Sequence, residues 1–252
     1  MSGDVMPLAG QRILVTGASS GIGAATACLL GKLGAIVGVH YNKNYEGAKA
    51  TCTKIKDMGA RAELFQADLI NPDGRWLLIH GVIKTFGGLN ALVNNAGGLS
   101  SPREFNTLSH QDWIEVFELN VFAPAHLCQY VFAYMKKQKG GRIVNISSIG
   151  VKYGGSPTSL HYAAAKSALE TMTLGLAKAG ARHNILVNAI RPGFIMTPMN
   201  QDMTREECDK RVAMIPLHRS GKPEDIAEMI AYLLSPAASF ITGQIFTVSG
   251  GD

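Results

Sequence analysis

The sequence predicts an α/β fold in which one parallel sheet is covered by helices on both faces. Three observations lead there. Short, nearly continuous apolar runs alternate with longer stretches of helical periodicity, as expected of strands buried on both faces. The first apolar run opens directly into a glycine-rich loop and then an Ala-rich helix. The 28 glycines among 252 residues suit the many tight turns that repeated strand–helix units require.

The first strand is Ile13-Leu14-Val15, within Gln11 to Thr16. It runs into Thr16-Gly17-Ala18-Ser19-Ser20-Gly21-Ile22-Gly23, and a helix is expected from Ala24 to about Lys32. Strand, glycine loop and helix in that order make a phosphate cradle. Glycines let the backbone turn tightly and approach a pyrophosphate, and the helix start offers free N–H groups at a positive dipole end. The glycines stand at 17, 21 and 23 rather than in the commonest G-x-G-x-x-G spacing, and a glycine turn without a ligand is the bland alternative.

Strands then follow at Ala35–Val39, Ala62–Ala67, Ala91–Val93, Arg142–Ile146, Ile185–Ile190 and Gln244–Val248. Helices are expected at Tyr45–Met58, Asp73–Phe86, Trp113–Lys137, Tyr162–Arg182 and Ile226–Leu234. Sheets of this kind bind ligands at the carboxyl ends of their strands, and each motif of the chain falls at or just beyond such an end.

Tyr162 and Lys166 lie one helical turn apart on one face. A free phenol ionises near pH 10, and an adjacent ammonium favours the phenolate and lowers that value. The pair can pass a proton to or from an alcohol oxygen. Taken alone, Tyr-x-x-x-Lys is more often an ordinary helix surface.

Together, Thr16-Gly-Ala-Ser-Ser-Gly-Ile-Gly23, Asn94-Asn-Ala-Gly97, Asn120, Ser148, Tyr162-x-x-x-Lys166 and Arg191-Pro-Gly193 resemble the short-chain dehydrogenase/reductase family from Gln11 to Gly251. The resemblance implies a Rossmann-type doubly wound parallel sheet of about seven strands, forming a single domain over 1–252 with a substrate lid at about 195–216. Within this chain it sorts Tyr162 as general acid or base and Lys166 as its partner and ribose contact. Ser148 is the holder of the substrate oxygen, and Asn120 supports a proton relay through water. Ser147 competes with Ser148. The 14-residue separation of Ser148 and Tyr162 is one longer than usual for the family, which places an insertion between Gly150 and His161.

The resemblance also implies cofactor contacts at Gly17, Ser19, Ser20, Gly21, Ile22, Gly23, Asp68, Asn94, Ala96, Gly97, Tyr162, Lys166, Pro192, Gly193, Ile195 and Thr197. After the second strand the chain reads His40-Tyr41-Asn42-Lys43, with no carboxylate before Glu46. A carboxylate there would favour the ribose 2′-OH of NAD, whereas Lys43, with Asn42 and Tyr41, suits a 2′-phosphate as a point charge. NADP(H) is therefore expected, with NAD(H) as the alternative. Ser19 and Ser20 stand where several NADP-preferring relatives carry a basic residue.

The expected activity is NADPH-dependent reduction of a ketone to a secondary alcohol. An NAD-dependent alcohol, sugar or polyol dehydrogenase is the alternative, and a non-catalytic dinucleotide-binding protein is a third reading. The resemblance extends to 3-oxoacyl-[acyl-carrier-protein] reductases, so a carrier-bound acyl chain is one candidate substrate. Lys136, Lys137, Lys139 and Arg142 are either its docking patch or a solvated helix end. The net charge of +5 is dispersed and accompanied by no nucleic-acid motif. Cys28, Cys52, Cys128 and Cys208 lack metal-ligand or disulfide spacing; Cys28 and Cys128 read as buried hydrophobes. No apolar run is long enough to span a bilayer, and no signal peptide is expected, so a cytoplasmic protein is the expectation. The resemblance implies a homodimer or homotetramer. Met196, Met199, Met203 and Met214 in the lid favour an apolar substrate. Gly98–Phe105 and Gly150–His161 form the other walls, with Arg103, Lys152 and His161 as candidate contacts.

Overall fold

The structure is a computed structural model and describes residues 6–99, 102–200 and 203–252. Ser100, Ser101, Gln201 and Asp202, which fall in two of the expected substrate walls, lie outside the described residues. Seven strands form one sheet: β1 (Arg12–Val15), β2 (Ile36–Tyr41), β3 (Ala62–Gln66), β4 (Ala91–Asn94), β5 (Gly141–Ile146), β6 (Ile185–Pro192) and β7 (Ile245–Val248). Their order is β3-β2-β1-β4-β5-β6-β7, and every neighbouring pair is parallel.

The helices are α1 (Gly21–Lys32), α2 (Tyr45–Asp57), α3 (Pro72–Phe86), α4 (His110–Phe117), α5 (Ala123–Lys137), α6 (Gly150–Tyr153), α7 (Leu160–Ala181), α8 (Arg205–Ala213) and α9 (Pro223–Leu234). Alternation along the strands builds two cores. Ile13 and Val15 of β1 join Val37 and Val39 under α1, α2 and α9, where Leu30, Ile55, Ile226 and Ile230 meet them. Leu14 points the other way, joining Leu92, Ile143 and Val187 under α3 and α5, with Leu78, Val82, Leu127 and Val131. Full burial of each such side chain is worth about 1.5–3 kcal/mol.

Three departures from the sequence reading bear on function. β2 runs on through His40 and Tyr41, pairing His40 with Phe65, so the strand ends later than its apolar run. α1 starts at Gly21, because its cap is Ser20 in extended conformation. The long helix expected over Trp113–Lys137 is two helices, α4 and α5, joined by a π-helical turn at Glu118–Phe122. Such a turn widens a helix locally and re-aims one side chain. Here that side chain is Asn120, which is fully buried.

β1 has β2 on one side and β4 on the other, with successive connections leaving in opposite directions. The crevice beyond the carboxyl ends at that point is where doubly wound sheets hold ligands.

Candidate active site

A cleft of about 580 Å³ opens over these strand ends. The glycine loop forms its floor. Gly17 has φ +64° and Gly21 φ +53°, backbone regions natural to glycine. Gly23 does not line the cleft; a methyl group there would come 2.2 Å from the Gly17 carbonyl oxygen, so glycine lets α1 pack onto its own loop. No side chain caps α1, which leaves its first-turn N–H groups to an anion.

The far wall of the loop comes from β4. Thr16 Oγ1 donates to the Val93 carbonyl and accepts from the N–H groups of Asn95 and Ala96, at 3.0 and 2.9 Å. Asn95 Nδ2 donates to the carbonyls of Thr16 and Gly17. Asn95, not Asn94, therefore faces the cleft. Asn94 is buried within the sheet, where Nδ2 donates to Asn145 Oδ1 at 2.8 Å; strand alternation turns it away from its neighbour. The same alternation sends Tyr41 into the core against Tyr45. Neither residue lines the cleft, contrary to the sequence reading. Ser19, Ser20, Ile22, Asn42, Lys43, Asp68, Ala96, Gly97, Pro192, Gly193, Ile195 and Thr197 do. His40 also lines it, although its sequence position marked only a strand end.

Ser148, Tyr162 and Lys166 converge on this same cleft. Lys166 is buried and Nζ donates to the Ile146 carbonyl at 2.8 Å, with the ammonium 5.6 Å from the Tyr162 ring centre. Burial pushes the Lys166 ammonium down to about 8. It pushes the Tyr162 phenol up to about 12, against a hydrogen bond with Ser148 that pulls it down. The expected lowering of the Tyr162 pKa is therefore not seen: desolvation outweighs the Ser148 hydrogen bond, and the phenol is held protonated.

Asn120 does not line the cleft but stands directly behind Gly97. Its Nδ2 donates to the carbonyls of Gly98 and Val116, both at 2.8 Å, and Oδ1 accepts from the Gly98 N–H. A methyl group on Gly97 would lie 2.7 Å from Asn120 Oδ1 and 2.9 Å from Lys166 Nζ. The two polar atoms thus flank the bare Cα of Gly97, where a side chain would press on both.

The adjacent serines separate cleanly. Ser147 is buried, and Oγ donates to Glu170 Oε1 at 2.6 Å. Glu170 in turn receives Arg191 through Nε at 2.6 Å and Nη2 at 2.5 Å. Arg191, part of the Arg-Pro-Gly motif, is consumed in this pair below the site. Both serines border the cleft, but the Ser147 hydroxyl is committed to Glu170, whereas Ser148 Oγ accepts from the Gly150 N–H at 3.1 Å. Between Ser148 and Tyr162, α6 ends at Gly154, and both Gly154 and Gly155 have positive φ.

The candidate substrate contacts fall out of the site. Arg103 pairs with Asp112 at 3.0 Å, Lys152 lies over the Tyr153 ring, and His161 is buried against Trp113. From the segment 195–216 expected as a lid, Ile195, Thr197, Pro198, Asn200 and Arg211 line the cleft, with Phe194 just before it. Among the described residues there is no cluster of His, Cys, Asp or Glu fit for a metal ion, and no helix long and apolar enough to cross a membrane. Cys128 is fully buried as expected, whereas Cys28 is only partly covered.

The glycine floor, the free helix start and the volume fit an extended dinucleotide. A family model described as enoyl-(acyl carrier protein) reductase matches residues 17–252. The chain belongs to the short-chain dehydrogenase/reductase family. A 3-oxoacyl-[acyl-carrier-protein] reductase of Thermotoga maritima is 35% identical over 246 residues, covering 98% of this chain and 99% of that protein. Among solved structures, a short-chain dehydrogenase from Burkholderia cenocepacia in complex with NADP superposes with a TM-score of 0.91 at 34% identity, covering 97% of this chain and 98% of that one. A 7α-hydroxysteroid dehydrogenase complexed with NADH and 7-oxo glycochenodeoxycholic acid gives 0.93 at 34% identity, covering 100% and 97%.

Proposed function

We propose that this short-chain dehydrogenase/reductase reduces a ketone to a secondary alcohol with NADPH, and that Tyr162 delivers the proton. The observation that carries the reading is the convergence of Ser148, Tyr162 and Lys166 on the cleft that the glycine loop floors. When bound, the nicotinamide supplies the hydride; orientation and proton delivery are the protein's share.

Ser148 donates its hydroxyl to the substrate carbonyl oxygen and polarises it. Tyr162, protonated at neutral pH, passes its phenolic proton to that oxygen as negative charge develops there. Lys166 holds positive charge beside the phenol as it turns to phenolate. Water between Lys166 and Asn120 returns the proton. In the reverse direction the same phenolate is the general base.

NADP is preferred because Lys43, Asn42 and Ser20 line the adenosine end of the cleft, where an ammonium meets a 2′-phosphate. The relative solved with NADP supports this choice; the one solved with NADH keeps NAD as the second reading. Leu119, Phe194 and Ile195 give the substrate end an apolar lining, and the segment 195–216 acts as its lid. A moderately apolar ketone or a carrier-bound 3-oxoacyl chain suits it. Exposed Ile114, Phe122 and Leu174 on α4, the π turn and α7 support a homo-oligomer, in the cytoplasm.

The test is fluorescence titration of the purified protein with NADPH and NADH, followed by a ketone panel that includes small ketones, sugars and 3-oxoacyl thioesters. Tight NADPH binding, weak NADH binding and NADPH oxidation by one panel class support the reading. Preference for NADH overturns the NADP assignment, binding without turnover of any panel member returns the chain to the non-catalytic dinucleotide-binding alternative, and no binding of either defeats the dinucleotide reading.

A further inference from the structure

We propose that His40 is a positioning residue for the dinucleotide, holding the first turn of the glycine loop in its binding-ready shape through Nδ1. This inference rests on the dinucleotide reading above. His40 is the penultimate residue of β2 and is 2% exposed, with its side chain on the cleft wall. Its Nδ1 accepts from the Gly17 N–H at 3.0 Å. That bond needs a bare Nδ1, so the ring proton sits on Nε2, which donates to the Ala67 carbonyl at 3.1 Å. Burial pushes the ring down to about 4, in keeping with a ring that stays neutral in this double role.

The main chain of the same residue adds a third tie: the His40 carbonyl accepts from the Ala18 N–H at 2.8 Å. Consecutive loop residues are thus held by one histidine from the β2 side, while Thr16 and Asn95 hold the loop from the β4 side. Two consequences follow for the ligand. With the N–H groups of Gly17 and Ala18 taken, the anion is directed to the uncapped start of α1. And Ala67 immediately precedes Asp68 on the cleft wall, so one ring sets the spacing between the phosphate floor and the adenosine wall.

The two ring nitrogens can be tested separately. Asparagine places a polar atom near the position of Nδ1 and keeps an acceptor for Gly17. Glutamine reaches the position of Nε2 and keeps the donor to Ala67 but loses Gly17. His40→Asn and His40→Gln are compared with the wild type by NADPH fluorescence titration and thermal melting. We expect His40→Asn to bind NADPH within about threefold of wild type, and His40→Gln to bind roughly tenfold more weakly, although each variant gives up one ring hydrogen bond and both melt at similar temperatures. Equal weakening in both variants, or none in either, overturns the assignment, because a structural or space-filling role does not distinguish the nitrogens. If His40→Gln does not fold, full affinity in His40→Asn upholds the assignment and its loss refutes it. A wild type that binds neither NADPH nor NADH defeats the dinucleotide reading itself, and with it this inference, a result distinct from any difference between the variants.

Discussion

Replacing Ser147 and Ser148 by alanine, one at a time, separates a structural serine from a reactive one at adjacent positions. In Ser147→Ala the lost contact is the 2.6 Å hydrogen bond from Oγ to Glu170. A hydrogen bond to a charged group contributes about 1.5–3 kcal/mol. Glu170 retains both bonds from Arg191, so no bare carboxylate is left, and the loss stays within that range. For a chain of this size it lowers the melting temperature by roughly 3–12 °C. Activity changes little, because the main chain holds the segment: the Ser147 N–H donates to the Ile190 carbonyl at 2.7 Å and the Ile149 N–H to the Pro192 carbonyl at 2.9 Å. Ser148→Ala has the opposite profile. It removes a partly exposed hydroxyl whose protein partners are the Gly150 N–H and Tyr162, so the melting temperature moves little. It also removes a donor to the developing oxyanion, which lowers kcat by roughly 100- to 1,000-fold. Calorimetric melting and steady-state NADPH oxidation on the best ketone of the panel read both quantities. A Ser147→Ala enzyme with intact stability and lost turnover, beside an active Ser148→Ala enzyme, refutes the assignment and the hydrogen-bond reasoning beneath it.

Tyr162→Phe abolishes ketone turnover while NADPH titration gives an unchanged affinity; near-normal activity removes Tyr162 from the proton path. Lys43→Ala weakens NADPH by roughly tenfold or more and leaves NADH unchanged, and equal loss for both nucleotides contradicts a 2′-phosphate contact. The pH profile follows from Lys166, whose pKa is pushed down to about 8 by burial. Below that value the ammonium is intact and reduction proceeds; as pH rises through it the charge beside the phenol is lost, so kcat/KM for reduction falls. A profile flat from pH 7 to 9.5 contradicts the depressed pKa for Lys166.

Much of this protein was legible in the residues alone because its signals are local. Apolar runs and helical periodicity place the strands and helices, since burial on both faces of a parallel sheet demands apolar residues in sequence. The spacing of Tyr162 and Lys166 puts both on one helix face whatever surrounds them. The glycines at 17 and 21 mark a backbone that must turn through positive φ. What the tertiary structure decided are matters of facing and environment. Which of Asn94 and Asn95 meets the cleft, and which of the Ser147 and Ser148 hydroxyls is committed elsewhere, depends on the pleat and on partners such as Glu170, far away in sequence. The π turn that buries Asn120 behind Gly97 leaves no periodicity signal. The direction of the Tyr162 shift depends on how much water the fold removes, and a sequence does not carry that desolvation. His40 shows the same division: its identity can be read in the chain, but only the closing of β2 against the glycine loop and the end of β3 gives its two nitrogens their opposite roles.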